Sequence, residues 1–186
     1  MGQDIIKFTA WKDTGPACIE PMFIDLWAEF VELSPMYPVG GIPVPGLSNM
    51  TSNSVEGIWQ GLKILIDGGG RITDADTTYF ATCSGPRKGT VLGHDWGLQG
   101  LLLPYADAHR MIYLPAYAYQ LTKQAVKVAE LRERANEAPL IFLDASTPGT
   151  RGAAQLLKYW IMHDGTFEGL DRRPSSQTSC APPHIF

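Results

Sequence analysis

The spacing of apolar residues predicts short strands near both ends of this chain. Residues 4–11 contain IIKFTAW, which is rich in β-branched and aromatic side chains and predicts a strand. Residues 138–144, APLIFLD, form a short apolar run and predict a buried strand that ends in a carboxylate. We therefore expect an α+β fold, mostly helical with a small sheet, in which both strands contribute to the core.

Three segments have the apolar spacing of amphipathic helices. Residues 21–33 predict the first, and residues 105–136 predict a long, mostly helical segment that Pro115 starts or kinks. Thr147 and Pro148 resemble the N-cap and first-turn residue of a last helix. The apolar stripes of the three helices are Phe23, Leu26, Trp27, Phe30 and Val31; Leu114, Tyr117, Ala118, Leu121, Ala125, Val128 and Leu131; and Ala153, Leu156, Leu157, Trp160 and Ile161.

A further helix is predicted after residue 53. Asn53 as N-cap with Glu56 at the third helical position predicts a start that resembles a capping box, and glycines 68–70 predict the end. At about 100° per residue, six apolar positions fall within an arc of about 120° and predict the buried face. These positions are Val55, Ile58, Trp59, Leu62, Leu65 and Ile66.

A line of polar residues borders that buried face. Glu56, Gln60 and Lys63 are spaced by four and three residues, which places them within roughly 60° of one another on a helix. Gly57 and Gly61 allow another element to approach the helix backbone closely. The line suits the wall of a pocket. The same residues also fit a simpler interpretation, in which Glu56 only caps the helix, Lys63 is solvated near the helix C-terminus, and the glycines only accommodate packing.

Two loops carry further candidate chemistry. Residues 34–53 are rich in proline and glycine and predict a long loop, which is uncommon in a compact domain unless it binds something or is disordered. Residues 84–89, SGPRKG, form a basic loop in which Arg87 and Lys88 could hold phosphate. His94 and Asp95 could act as an acid/base pair, although an ordinary hydrogen-bonded loop explains this dipeptide more simply.

Composition narrows the class of protein. The 186 residues are 45% hydrophobic and 18% charged with a net charge of −4, which is typical of a globular domain and gives no electrostatic reason to expect binding to extended duplex nucleic acid. The three cysteines, Cys18, Cys83 and Cys180, lack the spacing of a zinc site or a disulfide framework. There is no signal-peptide pattern or long apolar run, so we expect a soluble, cytoplasmic protein without cofactor or metal. A homo-oligomer is compatible with these features.

The order of several motifs resembles the NADAR superfamily, also called YbiA-like. These motifs are LSNM, SVEGIWQGLKI, SGPRKGTVLGH, a long helix, LIFLDAS and a G-x-x-x-L-x-x-x-x-M segment. The resemblance covers residues 47 to 162, and its most specific part is the helix with glutamate, glutamine and lysine. It implies a NADAR-like core over residues 47–165, with residues 1–46 packed on it and residues 166–186 as a mobile or docked tail.

The resemblance implies cleavage of N-glycosidic bonds in ADP-ribosylated or phosphoribosylated compounds. The expected protein is then an N-glycosidase-type hydrolase whose partner is a nucleotide or an ADP-ribosylated base. The expected catalytic residues are Glu56, Lys63 and Asp144, and the expected substrate-binding residues are Ser48, Asn49, Trp59, Gln60, Arg87, Lys88 and His94.

The sequence departs from this family pattern at four points. Gly57 stands where the family has histidine, His94 where it has arginine and Asp144 where it has glutamate. A tryptophan-glycine element expected after Asp144 is absent before residue 153. A non-catalytic module that binds or sequesters a nucleotide-derived signal is therefore the alternative expectation.

Overall fold

The computed structural model describes residues 4–8, 22–82, 85–138, 140–144 and 152–170. The strands are β1 (Asp4–Phe8), β2 (Met22–Asp25), β3 (Ile42–Val44), β4 (Leu47–Ser52), β5 (Lys63–Ile66), β6 (Ile72–Thr73), β7 (Thr90–Trp96), β8 (Leu101–Leu103) and β9 (Leu140–Asp144). The α-helices are α1 (Leu26–Glu29), α2 (Val55–Gly61), α3 (Tyr105–Ala108), α4 (Leu114–Lys123), α5 (Ala125–Glu137) and α6 (Ala153–Met162). This mixture of helices and small sheets agrees with the predicted α+β class. Over the described ranges, every helix is too short or too polar to cross a membrane.

The two predicted strands pair with each other in a three-stranded sheet of order β1-β9-β2. β1 runs antiparallel to β9, and β2 runs parallel to it. β2 and α1 correct the sequence-based prediction, because residues 22–33 form a strand, a single helical turn and a 3-10 turn at Val31–Leu33 instead of one helix. Pairing with β9 satisfies the backbone of this apolar run, and a short apolar run does not by itself distinguish strand from helix.

The predicted long loop, residues 34–53, contains a β-hairpin of β3 and β4. Ile42 and Val44 are buried on one face of β3, and the chain turns at Gly46, whose φ of 83° is in the left-handed region that favours glycine. The high content of proline and glycine therefore predicted a loop where the structure has two paired strands.

Helix α2 begins one residue later and ends earlier than predicted. Its N-cap is Ser54, whose hydroxyl accepts the backbone N–H of Gly57, so Asn53 is not the cap and Glu56 occupies the second helical position. The chain leaves the helix at Leu62 and becomes strand β5. The β-branched residues Ile64 and Ile66 suit a strand, and pairing with strands on both sides of β5 outweighs the helical spacing.

Strand β5 lies inside an antiparallel sheet of order β6-β5-β7-β8. Its pairing with β7 joins Lys63 to His94 and Ile64 to Gly93, and then shifts so that Leu65 faces Val91. Leu92 is therefore an extra residue in β7. Bulges of this kind change the direction of neighbouring side chains and are frequent beside functional sites.

The predicted long helical segment is confirmed, with a break in its hydrogen-bond spacing. α3 passes into a π-helical stretch at His109–Tyr113, after which α4 begins and carries Pro115 in its first turn. α5 follows directly. The last helix, α6, has Gly152 as its N-cap instead of the predicted Thr147, and Thr147 and Pro148 lie outside the described residues. Phe30, Tyr117 and Leu121 are among the fully buried side chains of a core to which these helices contribute.

Candidate functional site

The candidate site lies where α2 ends and β5 begins. Lys63, the first residue of β5, is directly opposite His94 of β7 in the antiparallel pairing. Opposed residues on neighbouring antiparallel strands project their side chains to the same face. The amine and the imidazole therefore share one face of the sheet, beside the C-terminal end of α2.

The predicted polar line is confirmed as a chain of hydrogen bonds. The amide nitrogen of Gln60 donates to Oε1 of Glu56, and the ammonium of Lys63 donates to Oε1 of Gln60 at 2.9 Å. Gln60 is 3% exposed, whereas Glu56 and Lys63 are half-buried. The three side chains meet although Lys63 lies on a strand, because the turn at Leu62 brings the start of β5 alongside the last turn of α2.

Lys63 has the environment of a chemically active amine. Burial lowers its pKa below the ordinary 10.5, the Glu56 carboxylate opposes this shift, and the Arg87 guanidinium adds to it. Desolvation and a nearby cation both disfavour the protonated form of an amine. More of the neutral, nucleophilic amine is therefore present near neutral pH than for a solvated lysine.

A cavity of about 210 Å³ opens beside Lys63. Its lining residues are Trp59, Lys63, Val91, Leu92, Gly93, His94 and Tyr105. Pockets for whole drug-sized ligands typically have volumes of about 300–1,000 Å³. The cavity therefore suits one ring of a larger ligand, whose remaining parts would lie outside.

His94 is the most unusual group of the site. It is 1% exposed, and neither imidazole nitrogen has a hydrogen-bond partner among the described residues. Burial lowers its pKa to about 4, the Lys63 charge adds to the shift, and the backbone of Trp59 slightly opposes it. The imidazole is therefore neutral at pH 7. A buried polar group without a partner costs about 1–3 kcal/mol, which a ligand that bonds to it would recover.

An aromatic ring packs against this imidazole, and two further rings pack against that ring. The Trp59 ring lies against it with centroids 3.7 Å apart, and Tyr105 and Tyr113 meet the Trp59 ring edge-on at 5.7 and 5.4 Å. Tyr105, with 58% of its surface exposed, lies at the cavity. This wall can pack against a flat ring.

The Arg87 guanidinium is held by hydrogen bonds to other groups of the protein. Its guanidinium donates to the carbonyls of Lys63 at 2.6 Å and Asp74 at 2.9 Å, to Thr73 Oγ1 at 3.1 Å and, more weakly, to the carbonyl of Gln60 at 3.4 Å. These acceptors occupy both terminal nitrogens of the group. Arg87 thereby fixes the corner between α2 and β5, and its predicted contact with phosphate stays a prediction.

The interpretation that Gly57 and Gly61 allow close packing is confirmed. The 3-10 helix Thr77–Phe80 lies against them. A Cβ on Gly57 would come within 2.5 Å of the Tyr79 carbonyl, and one on Gly61 would meet the Phe80 ring at 2.7 Å. No side chain can replace Gly57 without displacing this backbone.

Two predicted residues lie apart from the cavity wall. Ser48 and Asn49 are exposed on strand β4 and do not line the cavity, so their predicted role in substrate binding stays a prediction.

The remaining predicted site residues are Lys88, which does not line the cavity, and Asp144. Lys88 is exposed, and the backbone of Asp144 ends β9, while its side chain lies outside the described residues. Over the described ranges, no three His, Cys, Asp or Glu side chains are grouped to hold a metal ion. All three cysteines lie outside these ranges.

Asp95 is a structural residue. Its Oδ1 accepts the backbone N–H groups of Gln99 and Gly100 at 3.1 and 3.0 Å, which stabilises the turn after β7. The suggested acid/base pairing of His94 with Asp95 is wrong, because adjacent residues of a strand point to opposite faces.

Sequence reasoning missed four cavity residues, Val91, Leu92, Gly93 and Tyr105. Tyr105 begins a helix and gave no signal beyond its apolar ring. Leu92 reaches the cavity through the bulge in β7, which depends on the pairing partner.

Comparison with known proteins gives a family without an assigned activity. A family model described as "Family of unknown function (DUF6939)" matches residues 25–154. The chain belongs to this family. No curated protein and no solved structure matches the chain.

Proposed function

We propose that the protein is an N-glycosidase-type hydrolase that cleaves the C1′–N bond of an ADP-ribosylated or phosphoribosylated substrate. The observation that carries the proposal is the half-buried Lys63 amine at a ring-sized cavity, joined through Gln60 to the Glu56 carboxylate. The resemblance of the same three residues to the NADAR helix motif supports it.

The proposed reaction begins at the neutral Lys63 amine. Its nitrogen attacks C1′, the C1′–N bond breaks, and the base leaves with the bonding electron pair and takes up a proton. The attacking nitrogen loses a proton to a water molecule, which passes it to Glu56, because Gln60 separates the carboxylate from the amine. The C1′–O4′ bond then breaks, O4′ takes up the proton from Glu56 through the same water, and the lone pair of the Lys63 nitrogen forms a protonated Schiff base with C1′. Water then hydrolyses this imine, which releases the sugar aldehyde and restores the amine.

The dimensions of the cavity constrain how such a substrate binds. At about 210 Å³ it accommodates one ring beside Lys63, so the phosphates remain outside. The Trp59 and Tyr105 rings can pack against a flat base, and the unpartnered His94 can hydrogen-bond to it.

Mass spectrometry of reactions with ADP-ribosylated guanosine, phosphoribosylated bases, free ADP-ribose and NAD tests the proposal. We expect release of the base from at least one N-glycoside, and a borohydride-reduced adduct on a peptide that contains Lys63. Lys63→Ala should lose both, and Lys123→Ala should lose neither, because Lys123 is an exposed lysine of α4. Full activity of Lys63→Ala would exclude the covalent route.

The alternative is a non-catalytic module that binds a nucleotide-derived ligand. The unpartnered His94 and the aromatic wall favour it specifically, because both features serve binding without requiring a reactive amine. Unchanged substrates together with measurable binding, weakened by replacement of Trp59, would support this alternative over the hydrolase.

A further inference from the structure

The side-chain amide of Gln60 is the central link of the site. It is almost fully buried, and all three of its polar contacts involve the site or its supporting loop. Nε2 donates to Glu56, while Oε1 accepts both the Lys63 ammonium at 2.9 Å and the backbone N–H of Arg87 at 3.0 Å. Gln60 was predicted as a substrate-binding residue, but its polar atoms are directed at protein groups.

These contacts permit only one orientation of the amide. Exchanging its oxygen and nitrogen would place an NH₂ group against two donors, the ammonium and the Arg87 N–H, and an oxygen against the Glu56 carboxylate. The Arg87 guanidinium further fixes the backbone that carries Gln60 and Lys63. The carbonyl oxygen therefore stays toward Lys63.

The amide keeps two opposite charges apart. In the described part of the chain, Glu56 and Lys63 form no direct ion pair, although both contact Gln60. A carboxylate in direct contact holds a proton on an amine much more strongly than a neutral carbonyl does. The intervening amide thus leaves the carboxylate and the amine as two separate groups.

We propose that Gln60 is a positioning residue that holds the Glu56 carboxylate off the Lys63 amine, so that the two act as separate base and nucleophile instead of an inert ion pair. Its catalytic meaning rests on the proposed N-glycosidase function. The separation itself is a property of the folded protein and can be measured without a substrate.

The test is a pH titration of the Lys63 side chain by NMR in protein labelled with ¹⁵N and ¹³C lysine. The signal is assigned by its loss in Lys63→Arg. Gln60→Met keeps the length of the side chain but removes the amide, so Glu56 can reach the amine, and we expect the midpoint of Lys63 to rise. In the double variant Glu56→Gln/Gln60→Met this rise should disappear, while the signals of Lys123 and Lys127 should not move in any variant.

A second variant covers the case in which Gln60→Met does not fold. Gln60→Glu has nearly the same shape and places a carboxylate against the amine, which should raise the midpoint by about one pH unit or more. An unchanged or lowered midpoint in Gln60→Met, or an unchanged one in Gln60→Glu, would overturn the inference.

Activity gives a separate readout. If the protein cleaves an N-glycoside, the acidic limb of the pH profile of kcat should move to higher pH in Gln60→Met and return in the double variant. A purely structural role would lower activity without moving the profile. Should no substrate be cleaved, the proposed function fails, while the Lys63 titration still decides the role of Gln60.

Discussion

Lys63 and His94 are directly opposite each other in the pairing of β5 with β7, and both line the same cavity. Each is partly or fully withdrawn from water, and each has its pKa lowered mainly by burial. A neutral imidazole beside a desolvated amine gives a site that favours uncharged groups. The pairing of β5 with β7 therefore places the two cavity residues with lowered pKa values side by side.

The stability of the protein should depend on His94 between pH 4 and 6.5. Burial lowers the pKa of His94 from 6.5 to about 4 in the folded state, so within this window the unfolded chain binds more protons. Stability should therefore fall as the pH is lowered through the window, by up to about 3 kcal/mol, since one pKa unit corresponds to about 1.4 kcal/mol.

Urea unfolding of the wild type and His94→Phe at several pH values measures this dependence. The difference between the two proteins should change across the window, because the variant lacks the titrating imidazole and keeps a ring against Trp59. His163→Phe, at an exposed position, is the matched control. Parallel pH curves for the wild type and His94→Phe would contradict the prediction.

Replacing Arg87 should mainly reduce stability. Arg87→Ala leaves the carbonyls of Gln60, Lys63 and Asp74 without their guanidinium donor, and we expect a loss of about 2–3 kcal/mol. Arg87→Lys keeps the charge but lacks the several N–H donors of the guanidinium, so its loss of stability should lie between those of the wild type and Arg87→Ala. Lys88→Ala is the control, because Lys88 is the exposed residue next to Arg87, and it should change stability by less than about 0.5 kcal/mol. Urea midpoints at constant m-value measure the stability of all three variants. If Arg87→Ala is as stable as the wild type and only binds phosphate more weakly, the structural role is contradicted and the predicted phosphate contact is supported instead.

Gly57→Ala should destabilise the protein although alanine is the better helix former. Its Cβ would lie 2.5 Å from the Tyr79 carbonyl and 2.9 Å from Ser52 Oγ. Overpacking of this kind costs about 1–3 kcal/mol, and the helix preference for alanine of about 1 kcal/mol offsets part of it.

Gly68→Ala is the matched control, since its Cβ would meet no atom within 4 Å. Thermal unfolding should show a lower Tm for Gly57→Ala and little change for Gly68→Ala. Equal Tm values for the two variants would mean that the 3-10 helix Thr77–Phe80 does not lie against α2 as described.

Local chemistry in the sequence was sufficient for several elements of the fold. Strands β1 and β9, the long helical segment and α6 follow from runs of apolar spacing that agree with their packing. Residues 22–33 and 63–66 were assigned to helices because short apolar runs fit either structure. Pairing with β9 makes Met22–Asp25 a strand, and pairing with β6 and β7 makes Lys63–Ile66 a strand.

For the candidate site, the sequence by itself determined that Glu56 and Gln60 are neighbours, four residues apart on α2, and that Gly57 and Gly61 permit close packing. Those features depend on spacing within one short segment. Only the tertiary structure decided that Lys63 faces His94, that Arg87 bonds to backbone carbonyls, and that Tyr105 lines the cavity. Each of these relationships joins different segments of the chain, at distances set by strand register and helix packing, which no local pattern specifies.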